Sequence, residues 1–117
     1  MKFLCLYRPG TSTERTAPPS AQEIETMSHL LGDMAKAGVL IATEGCMPSA
    51  NGMKLRVESG RFTLTDGPFP ETKELIAGLC LMQCQSKEEA VEWGKRFLSV
   101  VGIGESEIRQ VYDVPRE

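Results

Sequence analysis

A chain of 117 residues supports one domain with a hydrophobic core and is too short for two domains of typical size. Its 41% hydrophobic and 25% charged residues match the average of soluble globular proteins, which argues against a disordered or fibrous chain. The formal net charge is −3 and no cluster of Lys and Arg occurs, so we expect no nucleic-acid partner. The apolar run at the N-terminus is too short for a signal peptide or a membrane span, and we expect a cytoplasmic protein with no membrane partner.

The four cysteines and the single histidine give little support for a disulfide or a metal site. Cys80 and Cys84 fall in one predicted strand, where four residues span about 13 Å, beyond disulfide reach. Neither Cys5 nor Cys46 belongs to a CxxC pair, and one histidine is poor support for zinc. We therefore predict free thiols, no metal and no cofactor, with Cys46 the only reactive cysteine because it lies in a loop.

Strands and a helix alternate in the first part of the chain. An apolar strand is predicted over Lys2–Tyr7. Ser20 and Glu23 have the spacing of a capping box, and apolar residues follow at helical spacing until a glycine ends the helix. A second strand is predicted over Gly38–Gly45, before a turn-rich loop.

A β-hairpin is predicted next, because Met53–Glu58 and Arg61–Thr65 alternate apolar and polar residues around a Ser-Gly turn. With the turn at Ser59 and Gly60, apolar residues pair across one side of the hairpin. These pairs are Val57 with Phe62 and Leu55 with Leu64.

The rest of the chain completes a mixed fold. Ile76–Cys84 is apolar on both faces, as expected for a central strand. Ser86 and Glu89 form a second capping box, which opens a helix that we expect to fray near Ser99. The last strand is predicted over Glu107–Tyr112. The order βαββαβ, with the hairpin inserted, is that of a ferredoxin-like α+β fold.

This sheet would have more apolar surface than its two helices can cover. The helices cover one face, yet the strands Lys2–Tyr7 and Ile76–Cys84 are apolar on both faces. We expect a second copy of the chain to cover the other face, in a two-fold homodimer. A small-molecule cleft between the sheet and this partner would use the same surface.

A carboxylate directly follows the hairpin. Continuing the alternation by one step puts Asp66 on the side of Phe62 and Leu64, where an apolar setting would favour its protonated form and make it a candidate proton carrier. Asp before Gly is also a common turn former whose side chain bonds backbone amides, and this structural role is the main alternative. Glu44, at the end of a predicted strand, is a second carboxylate that could share acid and base roles.

Three segments carry a resemblance to a known family: AGVLIATEG, TDGPFPETKELIAGL and SKEEAVEWGKR. They resemble the DGPF branch of the YCII-related proteins, over about Gly38 to Arg96, with the DGPF motif the most specific part. The resemblance implies a ferredoxin-like fold that assembles as a dimeric α-β barrel, with a cleft between the sheet and loops. It also implies roles for Asp66, which matches the DGPF aspartate, and for Glu44, which matches a glutamate before glycine.

His29 does not fit a catalytic pair. The apolar stripe of the first helix lies almost opposite it, so we expect the imidazole to face solvent. The first-helix histidine that some relatives carry aligns with Met27, two positions away.

We therefore predict a small cytoplasmic homodimer that binds a metabolite beside Asp66, and leave open whether it catalyses a reaction. An enzyme would use Asp66 and Glu44 as acid and base, with Lys73 or Arg56 pairing with an anionic substrate. The alternative is a non-catalytic regulatory or protein-interaction module, such as a partner of a transcription factor, which would expose an apolar patch on the dimer. In a third interpretation Asp66 only caps its turn.

Overall fold

The computed structural model describes residues 1–10, 18–71 and 75–113. Its elements in chain order are β1 Lys2–Arg8, α1 Ala21–Lys36, β2 Leu40–Gly45, a short 3₁₀ helix Ser49–Asn51, β3 Met53–Glu58, β4 Arg61–Asp66, β5 Gly78–Gln83, α2 Lys87–Val101 and β6 Glu105–Val111. Of the two α-helices described, neither is long and apolar enough to cross a membrane.

Both predicted helix starts are confirmed by their caps. The Ser20 hydroxyl accepts a hydrogen bond from the Glu23 amide at 3.2 Å, and the Ser86 hydroxyl accepts one from the Glu89 amide at 3.1 Å. The Glu89 carboxylate in turn accepts from the Gln85 amide at 2.7 Å. These contacts satisfy amides that have no partner inside the helix.

The end of α2 differs from the expectation. The helix continues past Ser99 to Val101, because Gly102 adopts a left-handed conformation with φ 80° and donates its N–H to the Leu98 carbonyl at 2.8 Å. A glycine at this position satisfies the last turn without steric cost.

The sheet has the ferredoxin-like arrangement. Four strands lie in the order β2-β5-β1-β6, with each neighbouring pair antiparallel, so β5 is central as predicted. β3 and β4 form a separate two-stranded hairpin whose register pairs Leu55 with Leu64 and Val57 with Phe62, which confirms the predicted alternation.

The hydrophobic core lies between the helices and one face of the sheet. Its buried members come from all layers: Phe3, Cys5, Leu30, Met34, Val39, Met82, Cys84 and Ala90. On the outer surface of the helix layer, Arg96 of α2 pairs with Asp33 of α1 at 2.7 Å and lies over the Trp93 ring. The buried residues of the core show which face of the sheet the helices cover, and the other face has no helix over it among the described residues.

Four leucines, here called the open sheet face, lie on the opposite side. Leu4 pairs with Leu81 and Leu6 with Leu79 across β1 and β5. They alternate with the buried Phe3 and Cys5 and are themselves half-buried. Beside them on β6, Glu107 binds Arg8 at 2.9 Å and Arg109 at 2.8 Å, which gives this face a charged edge.

Candidate functional site

A cleft of about 1460 Å³ lies between the helix layer and the sheet. Its floor is formed by Cys5, Tyr7 and Cys80, and its walls include Met27 of α1 and Phe97 of α2. Phe97 packs edge-on against the Tyr7 ring, with 5.1 Å between the ring centroids. The cleft exceeds the range of about 300–1,000 Å³ typical of small-molecule pockets, so it has room for a metabolite.

This position differs from the expected cleft between the sheet and a partner copy. The cleft is on the helix side, opposite the open sheet face, because α1 and α2 leave a gap above β1 and β5. Amphipathic spacing shows that a residue such as Met27 turns inward, but it does not show whether the inward space is filled.

Two hydroxyl groups of the cleft donate hydrogen bonds to backbone carbonyls. The Tyr7 hydroxyl donates to the Ile103 carbonyl at 2.7 Å, and the Thr43 hydroxyl donates to the Leu79 carbonyl at 3.1 Å. Among the described lining residues the charged ones are Glu23 and Glu44. The interior is therefore mainly apolar, and the described charged residues at its rim are carboxylates.

The floor of the cleft is uncharged at neutral pH. Burial raises the pKa of the Cys5 thiol from 9.0 to about 12, with the neighbouring Cys80 and Cys84 adding to the shift. Burial also raises the pKa of Cys80 and of Tyr7. These groups stay protonated in the folded protein, so the floor favours an apolar ligand over a charged one.

Alkaline pH should destabilise the fold through Cys5. Below pH 9.0 the thiol is protonated in both folded and unfolded chains and adds no pH dependence. Between 9.0 and about 12 only the unfolded chain loses the proton, so the free energy of unfolding should fall by up to about 1.4 kcal/mol per pH unit. Urea unfolding at about pH 8 and about pH 10 measures how much free energy of unfolding is lost between the two. Compared with the wild type, this loss should be smaller in Cys5→Ala and unchanged in Cys46→Ala, whose thiol is exposed. Equal losses in all three proteins would contradict the assignment.

Asp66 lies outside the cleft, at the end of the hairpin. It pairs with Met53 in register, on the same side as Phe62 and Leu64, and its side chain is exposed. Within the described part of the chain no hydrogen bond or ion pair involves its carboxylate. The apolar neighbours on that side are exposed as well.

The turn after Asp66 is held by a residue that the sequence did not single out. The buried Ser49 hydroxyl accepts a hydrogen bond from the Phe69 amide at 2.9 Å, and Gly67 donates its N–H to the Gly52 carbonyl at 3.0 Å. The Lys54 ammonium lies 4.6 Å from the centre of the Phe69 ring. The only sequence signal for Ser49 is its place in a turn-rich loop.

The other proposed site residues are distributed over the molecule. Glu44 is exposed at the end of β2. It pairs with Leu79 of the open sheet face and is also among the residues that line the edge of the cleft. Arg56 is exposed on the polar face of the hairpin, opposite Thr63. Lys73 lies outside the described residues. The structure therefore brings Glu44 to the cleft and leaves Asp66 and Arg56 on the hairpin.

His29 faces solvent, as predicted, with its ring 4.0 Å from Glu25 one turn earlier. Met27 does line the cleft. The position that the resemblance assigned to a first-helix histidine is thus part of the cleft wall, and this chain has an apolar side chain there.

Comparisons with known proteins identify a family and two similar proteins. Residues 1–115 match the YCII-related domain. An uncharacterized protein of Rhizobium meliloti is 35% identical over 92 residues, which cover 79% of this chain and 74% of that protein. A solved structure of 5-chloro-2-hydroxyhydroquinone dehydrochlorinase from Burkholderia phenoliruptrix, in complex with 2,5-dihydroxybenzoquinone, aligns over 96% of this chain and 94% of its own, with 14% identity and a TM-score of 0.46.

Proposed function

The chain belongs to the YCII-related domain family, and we propose that it is a homodimeric protein that binds a small molecule in the cleft between its helices and its sheet. The observation that carries this proposal is the cleft itself, about 1460 Å³ in volume and lined mainly by apolar and aromatic side chains. Concave sites of this composition are the usual places where proteins bind metabolites.

The lining favours an apolar or aromatic ligand that is neutral or positively charged. The floor thiols of Cys5 and Cys80 carry no charge at neutral pH, because burial raises the pKa of both. Glu44 supplies a negative charge at the rim, which repels anions and attracts cations. An anionic substrate paired with Arg56 would need a different site.

Glu44 is the residue we propose for contact with a polar or reacting group of the ligand. It is the carboxylate of the predicted acid-base pair that lines the cleft, and a carboxylate at the rim can accept a hydrogen bond or a proton. Asp66 lies on the hairpin and has no assigned part in the binding step.

The homodimer is proposed from the open sheet face. Leu4, Leu6, Leu79 and Leu81 form adjacent cross-strand pairs on the side that the helices leave uncovered. A two-fold contact between copies would bury these leucines against each other. Leu79 and Glu44 also line the edge of the cleft, whereas the part of the cleft between Cys5, Cys80 and the helices lies on the other side of the sheet and would stay accessible.

A ligand screen with a blocked cleft tests the binding proposal. Thermal shifts should be measured with a panel of aromatic compounds in matched neutral, cationic and anionic forms, because a native-state ligand raises the melting temperature by mass action. Neutral or cationic compounds should stabilise the wild type, and Met27→Trp, which puts a larger ring into the cleft from α1, should weaken their binding at least about tenfold.

Val91→Trp is the matched control, since Val91 lies on α2 away from the cleft. Equal binding by both tryptophan variants would show that the ligand lies elsewhere. A panel in which only anions stabilise the protein would overturn the proposed ligand class.

A further inference from the structure

One face of the hairpin carries a row of exposed apolar side chains, here called the apolar strip. It consists of Met53, Leu55, Val57, Phe62 and Leu64, which share a face by register and are 58% to 72% exposed. Single exposed hydrophobic residues are common on protein surfaces. Five large ones in adjacent cross-strand positions form a contiguous patch, which marks an interaction surface.

The hairpin stands apart from the main sheet. β3 and β4 pair only with each other among the described strands. The radius of gyration is 15.9 Å, whereas a compact domain of this length has about 13 Å. An isolated two-stranded hairpin is marginally stable in water, so this one gains stability from contact with another surface.

We propose that the apolar strip of each protomer packs on a second copy of this chain and extends the dimer interface beyond the open sheet face. This inference rests on the homodimer proposed above and adds a second contact to it. The strip would reach over the edge of one sheet and cover apolar surface of the other copy, with the polar face of the hairpin outward.

The areas favour a second copy as the occupant. A large apolar side chain has on the order of 150–200 Å² to bury, so the strip at its observed exposure presents roughly 500 Å². A standard interface buries about 800 Å² on each partner. The strip alone is too small for a stable dimer, and the open sheet face supplies further apolar area on the same molecule.

Charge favours the same arrangement. Within Met53–Asp66 there are three cations, Lys54, Arg56 and Arg61, against two carboxylates, so the hairpin has a net charge of +1. Because the whole chain has a net charge of −3, the residues outside the hairpin have a net charge of −4. A basic hairpin is attracted to the acidic body of another copy, which steers association.

Substitutions on the two faces of the hairpin test the inference. The dimer dissociation constant should be measured by sedimentation velocity over a dilution series for the wild type, Leu55→Thr/Phe62→Thr on the strip, and Arg56→Lys/Arg61→Lys, which keeps the charge of the hairpin, as the control. Threonine is well accommodated in strands, and circular dichroism checks that each variant folds. The strip variant should raise the dissociation constant at least about tenfold, and the control should leave it within about threefold.

Photo-crosslinking provides a second readout that does not depend on a destabilising change. With p-benzoylphenylalanine in place of Phe62, mixed light and heavy isotope-labelled protein should give crosslinks between the two chains. Crosslinks found only within one chain would overturn the inference.

The outcomes separate the proposals. A wild-type dimer whose dissociation constant is unchanged in the strip variant would overturn the role of the strip and leave the dimer through the open sheet face intact. A wild type that stays monomeric at every concentration would overturn both contacts, whereas the cleft would still be tested by the ligand screen.

Discussion

Gly67→Ala should lower the free energy of unfolding by about 2–3 kcal/mol and release the turn that follows Asp66. A Cβ at Gly67 would overlap the carbonyl oxygen of Ser49 and come within 2.6 Å of its carbonyl carbon. Both groups are backbone, so neither can move aside as a flexible side chain can. The hydrogen bond from the Phe69 amide to the Ser49 hydroxyl would be lost with the displaced turn. Urea unfolding measures the stability, and amide exchange at Phe69 reports the turn directly.

Gly32→Ala is the matched control for this substitution. Gly32 lies within α1, and no atom outside the helix backbone comes within 4 Å of a Cβ built there. Alanine should therefore stabilise the protein, by about 0.5–1 kcal/mol, because glycine loses more conformational freedom in a helix. If Gly67→Ala unfolds at the same urea concentration as the wild type, the turn is not docked on Ser49.

Met82→Ala should cost about 3 kcal/mol of stability, within the range of about 2–5 kcal/mol for truncating a buried methionine. Met82 is 2% exposed on β5, pairs with Phe3 of β1 and lies where the core meets the cleft. Its removal loses apolar burial and leaves a cavity that the sheet cannot close. Chemical denaturation at one protein concentration, below that of dimer formation, isolates this effect.

Met47→Ala makes the same truncation at an exposed position. Its effect should stay within about 0.5 kcal/mol of the wild type. A small loss for Met82→Ala, similar to that of Met47→Ala, would mean that β5 is not packed under the helices as described.

The fold could be predicted because its signals are local. Ser20 and Ser86 have the capping-box partners that the structure confirms, and the alternation around Ser59 and Gly60 gives the observed register of the hairpin. The end of α2 was predicted too early, since the left-handed Gly102 that ends it is a more direct signal than the polar Ser99.

The site was harder to predict because it depends on distances between elements. The apolar positions of α1 look the same in sequence whether they fill a core or line a cleft, so the cleft beside Met27 was not foreseen. The alternation placed Asp66 correctly beside Phe62 and Leu64. It did not show that this face is exposed in the single chain, so any apolar setting for Asp66 must come from another molecule.

The methionine methyl groups provide the most direct test of the ligand cleft. Of the six methionines, four line the cleft, whereas Met53 lies on the apolar strip. The four are Met27, Met34, Met47 and Met82. Methyl-labelled protein should be titrated with a stabilising neutral or cationic aromatic compound and followed by NMR, with signals assigned by single Met→Leu variants. Ligand binding in the cleft predicts saturable shifts of the four cleft methionines and none at Met53. Shifts confined to Met53, with the cleft signals unmoved by a compound that stabilises the protein, would contradict it.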